Sequence, residues 1–119
     1  MKRALPSFLA FIFCVSGFCQ VKDLDSIKMM VGQNITFCGQ VVDSYVSKTD
    51  SVTTFLNFGG SYPNVKLTAV IFKKDAPKFH EMPNTYYLGQ HVCITGDLIQ
   101  YKERPEIILN RPEQIWVEK

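Results

Sequence analysis

Cys38, Cys93, His80 and His91 are the thiol and imidazole side chains that follow the first twenty residues, and their spacing limits the chemistry open to them. None stands at a short interval such as Cys-x-x-Cys or His-x-x-x-His, through which one strand or turn presents several ligands to a metal. A metal site is therefore not expected, and no cofactor is implied. No glycine-rich phosphate loop, nucleophile elbow or clustered pair of acids is found, so the chain is expected to be non-catalytic. The remaining chemistry is that of binding. Phe55 and Tyr101 fall on the strand phase opposite to Leu56 and Ile94. If those two face a core, both aromatics face outward, where a ring can stack on a nucleic-acid base; packing beneath a neighbouring loop is the alternative. Lys73, Lys74 and Lys78 read as a solvated face, and Tyr86-Tyr87 as a cover over a core.

The first residues set the address. Lys2 and Arg3 precede an apolar run from Leu5 to Phe18, and Gly17 and Cys19 stand just before Gln20. This is the pattern of a cleaved secretory signal over residues 1–19, with a mature chain over 20–119. The run is shorter than the roughly 20 residues that span a bilayer, so no stable membrane span is expected after processing. Cys14 and Cys19 each follow a phenylalanine, which disfavours a lipoprotein. The expected location is periplasmic or extracellular. The charge of +2 rests on 13 basic and 11 acidic residues, and loss of Lys2 and Arg3 leaves 11 of each. A neutral domain lacks the basic surplus usual in proteins that hold phosphates, so nucleic-acid binding has to come from local clustering.

The elements follow from residue pattern. Leu24, Ile27 and Val31 have helical spacing, with Asp23 or Asp25 as N-cap and Gly32 as stop. From Asn34 the period changes to that of strands. The first is predicted over 34–46, with a bulge or bend at Gly39, and the second over 52–58 after a polar turn at 47–51. The third covers 67–72 and is apolar almost throughout. A short helix anchored by Phe79 and interrupted by Pro77 is expected within 73–81. Further strands follow at 91–101 and 106–109, with a turn at 102–104, and Trp116 in the segment 114–117 is expected to pack against the body. The fold class expected is all-β with one or two short helices, as a five-stranded Greek-key OB-type barrel with its core over about 32–117.

The stretch Val31-Gly-Gln-Asn-Ile-Thr-Phe-Cys-Gly39 is echoed by Leu88-Gly-Gln-His-Val-Cys-Ile-Thr-Gly96. In such a barrel the first and fourth strands are antiparallel neighbours, and a pairing centred on Phe37 and Ile94 sets Cys38 opposite Cys93. A disulfide between them and two small buried thiols both remain open at this point.

The segments Thr54-Phe-Leu-Asn-Phe-Gly-Gly60, Tyr62-Pro63, Thr68-Ala-Val-Ile-Phe72, Gly89-Gln-His-Val-Cys-Ile-Thr-Gly96, and Tyr101 with Arg104-Pro-Glu-Ile107 resemble bacterial OB-fold nucleic-acid-binding-like domains. The likeness covers about residues 32–117. It implies a binding surface on the second and third strands, bordered by two turns. Here that surface would carry Phe55, Asn57 and Tyr101, with Lys48, Lys102 and Arg104 on the turns. The partner it implies is single-stranded DNA or RNA. The alternatives are an envelope protein or oligosaccharide, suited to the neutral charge, and a role as accessory subunit of an exported nuclease.

Overall fold

The computed structural model describes residues 20, 21 and 23–119, so the predicted leader at 1–19 lies outside the described residues. Among the described residues eight strands form: β1 (Gln20–Val21), β2 (Asn34–Gln40), β3 (Asp43–Val46), β4 (Thr54–Phe58), β5 (Leu67–Ile71), β6 (His91–Tyr101), β7 (Arg104–Ile108) and β8 (Ile115–Val117). They make one curled sheet in the order β1-β2-β6-β7-β5-β4-β3, with β8 also paired to β6. β1 and β3 end the ladder, and β2, next to β1, is joined to β3 through Val41 and Val42. The sheet therefore wraps around one buried cluster running from Ile27 to Ile115, as in an OB-type barrel.

The predicted first strand thus divides in two, and the break is not at Gly39. β2 pairs with β6 without interruption from Asn34↔Asp97 to Gln40↔His91. Gly39 serves a packing need: a Cβ there would collide with the Phe37 ring, which lies over its backbone. The turn falls at Val41–Val42, where the Val41 N–H donates to Gln90 and the Val42 N–H donates to Asn57. Within β6 the position that needs glycine is Gly96. It sits at φ +155°, and a Cβ would meet Gln114 and Ile107 as β6 passes from β2 to β7.

β5 is buried along its whole length, as its almost wholly apolar run requires, with antiparallel β4 on one side and parallel β7 on the other. Phe58 is fully buried and meets Phe37 edge to face at 5.3 Å. β4 begins two residues later than predicted because Asp50 captures the preceding turn. Its carboxylate accepts from the Thr53 hydroxyl and from the N–H groups of Val52 and Thr53. These bonds hold its pKa at about 2, the Thr53 hydroxyl contributing most. β7 starts earlier than predicted, leaving Lys102 and Glu103, both at positive φ, as a two-residue hairpin turn.

The predicted first helix is a 3-10 helix over Leu24–Met30, capped by Asp23 and burying Ile27. The segment after β5 holds a 3-10 turn at Ala76–Lys78 and an α turn, α1 (Pro83–Tyr86). Phe79 and Tyr87 are buried as expected. Lys74 and Lys78 are not simply solvated, since both reach the buried Asp75. Trp116 does not pack into the body: it is 45% exposed, across the ladder from Cys93.

Candidate functional site

Strand register brings the site together. In the β3–β4 hairpin Tyr45 stands directly opposite Phe55, and their rings stack with centroids 4.8 Å apart and planes 21° from parallel. Tyr62, from the loop after β4, meets the Tyr45 ring edge-on at 5.9 Å. The β6–β7 hairpin closes the other side, with Tyr101 paired to Arg104 across its turn. The Arg104 guanidinium lies 5.2 Å from the Tyr62 centroid, and the Lys102 ammonium 5.4 Å from that of Tyr101. Both are cation–π distances. Between the two hairpins runs a groove of about 690 Å³.

Phe55, Tyr101, Lys48, Lys102 and Arg104, chosen from the sequence, all line this groove. Tyr101 is 51% exposed. Asn57 is corrected: it is 1% exposed and lies beneath the face. It shares the outward phase of Phe55, but the Tyr62 loop and Asp43 cover it. Its amide donates to Asp43 Oδ2 at 2.9 Å and its carbonyl oxygen accepts from Thr68 Oγ1 at 2.9 Å. Asp43 Oδ2 also accepts the Tyr62 backbone N–H at 3.1 Å. Asn57 is therefore a positioning residue that fixes the carboxylate holding the Tyr62 loop.

Sequence reasoning missed Tyr45, Tyr62, Asp43 and Glu106. Counting β3 back from the 47–53 turn would have set Tyr45 against Phe55; Tyr62 is placed by a loop closure with no periodic signal. Burial raises the pKa of the Tyr45 phenol, against an opposing pull from Arg104. Burial likewise raises that of Glu106, whose only counter-pull is Arg104. Compared with the unfolded chain, the folded state therefore pays more to keep Glu106 charged. As pH rises from the ordinary glutamate value through the raised one, the fold loses stability that a neutral side chain would keep. Glu106→Gln is expected to leave stability almost unchanged at pH 4 and to raise it at pH 7, by an amount moderated by the water reaching the groove. Urea midpoints at the two pH values check this, and an equal shift at both would contradict it.

The groove mixes three cations, Lys48, Lys102 and Arg104, with two carboxylates, Asp43 and Glu106. Aromatic rings and cationic side chains thus lie within one concavity. The one metal-like grouping among the described residues is Cys38, Cys93 and Glu118. Its two sulfurs are joined in a disulfide, with paired Cα atoms 4.0 Å apart. The register centred on Phe37↔Ile94 is the expected one. No helix among the described residues is long and apolar enough to cross a membrane.

No family model and no curated protein matches the chain. Among solved structures it is similar to one described as an aspartyl-tRNA synthetase from Leishmania major Friedlin, with a TM-score of 0.54 and 8% identity over 82% of this chain. It is also similar to Entamoeba histolytica asparaginyl-tRNA synthetase in complex with asparaginyl-adenylate, with a TM-score of 0.53 and 18% identity over 84% of this chain. The match covers 20% and 23% of those two chains. At these identities the likeness supports the OB-type fold.

Proposed function

We propose that this chain is an exported, non-catalytic OB-fold module that binds single-stranded nucleic acid in the groove between the β3–β4 and β6–β7 hairpins. The observation that carries the reading is the meeting of Phe55, Tyr101, Lys48, Lys102 and Arg104 in that groove, joined by Tyr45 and Tyr62. Bases stack on the exposed rings while the three cations meet phosphates at the rim. The two similar structures are tRNA synthetases by name, which favours RNA or DNA over other extended ligands for this fold. We read the ring as the five-stranded Greek-key form, β2 and β3 being one strand split at Val41–Val42. Export rests on the leader pattern of residues 1–19.

Binding of a fluorescently labelled single-stranded oligonucleotide, followed by anisotropy, tests this. Three phosphate contacts give a salt slope of about −2, so affinity is expected to fall roughly tenfold to twentyfold between 50 and 200 mM salt. No binding at 50 mM salt would reject the proposal. Binding that ignores salt would favour an uncharged extended ligand such as an oligosaccharide.

A further inference from the structure

Glu106 is 7% exposed and lines the groove, yet among the described residues its carboxylate accepts no hydrogen bond and joins no ion pair. Arg104 acts on Glu106 through its charge, without a hydrogen bond or ion pair to it. The Thr68 hydroxyl, opposite it on β5, donates to Asn57, and the Arg104 guanidinium lies over the Tyr62 ring. Asp43, the other carboxylate of the groove, is occupied by Asn57 and the Tyr62 N–H. A buried charge without a donor is costly, and a fold that leaves one beside stacking rings has an acceptor aimed at whatever enters.

We propose that Glu106 reads the edge of a stacked base and selects guanine, an inference that rests on the single-stranded nucleic-acid reading of the groove. A carboxylate offers two acceptor oxygens side by side and no donor. Guanine alone among the bases presents two adjacent donors on its pairing edge, N1–H and N2–H. Cytosine and adenine each set one amino donor beside a ring-nitrogen acceptor, which repels a carboxylate oxygen. Thymine and uracil place their single N–H between two carbonyl oxygens. Only guanine makes a bidentate pair, and hydrogen bonding to exposed base edges is how proteins read unpaired strands.

The test compares a nine-nucleotide thymidine tract with the same tract carrying one central guanosine, cytidine or adenosine, on the purified protein and on Glu106→Gln. The wild type is expected to bind the guanosine-containing tract at least about fivefold more tightly than the plain tract, the lower end for a good bidentate pair. Removing the charge tightens every oligonucleotide, so the readout is the ratio of the two Kd values, which cancels that effect. In Glu106→Gln the ratio is expected to fall towards one. A wild-type preference for cytidine or adenosine, no preference, or a ratio unchanged by Glu106→Gln would overturn the assignment while leaving nucleic-acid binding intact. Failure to bind any tract overturns both readings.

Discussion

Replacing Cys38 and Cys93 together by alanine is expected to lower the unfolding free energy by about 4 kcal/mol, the loop-closure value for a bridge whose ends are 55 residues apart in sequence. Domains of this size have about 5–15 kcal/mol in all, so the loss is a large fraction. The corresponding fall in Tm is roughly 15–30 °C. Alanine suits the site because Cys93 is buried and a serine hydroxyl there would need a partner. The bridge ties β2 to β6, the two strands with the longest shared ladder, so its loss mainly enlarges the unfolded ensemble and leaves the native contacts in place. Urea titration of the double variant, and of the wild type with and without a thiol reductant, measures the effect. A loss under 1 kcal/mol would mean that the ladder holds the ring without the bridge.

The second large effect concerns the stacking rings. Tyr101→Ala is expected to weaken single-stranded binding by about 1–3 kcal/mol, or about fivefold to 150-fold in Kd, the cost of one lost base stack. Because Tyr101 is half exposed, Tm should hardly move. Phe55→Ala is expected to cost a similar amount by a different route. One face of Phe55 is taken by Tyr45, so its removal also frees Tyr45, which in turn supports Tyr62. The two substitutions should therefore differ in stability while agreeing in affinity loss. Anisotropy titrations with thermal melts separate the cases. If neither variant loses affinity, the ligand sits elsewhere, the apolar cleft beside the stacked His80 and Tyr86 being the next place to look.

What was legible in the sequence was local pattern. The run His91–Tyr101 reads as a strand because its period holds for its whole length, and the echo of 31–39 in 88–96 carried the register that sets Cys38 against Cys93. Phe55 and Tyr101 were placed outward by phase alone. The errors arose where distant segments decide. Asn57 has the right phase but lies under a loop closed by Asp43, fourteen residues before it in sequence. Gly39 looked like a bend because glycine in a strand so often is one, whereas the Phe37 ring needs the space. Trp116 is expected to pack against the body, but the inward position in β8 belongs to Ile115, and alternation turns its neighbour outward.

The Asp43 carboxylate joins three stretches: its own strand β3, Asn57 on β4, and the loop at Tyr62. With the stiff two-residue turn at Lys102 and Glu103 opposite, both walls of the groove are fixed before anything enters it. A preorganised cleft of this kind asks little reordering of the protein on association, so the entropy lost on binding falls mainly on the strand that docks. The affinity of such a cleft is then governed by the stiffness of its ligand, and a strand already held near the docked shape should bind more tightly than a fully flexible one.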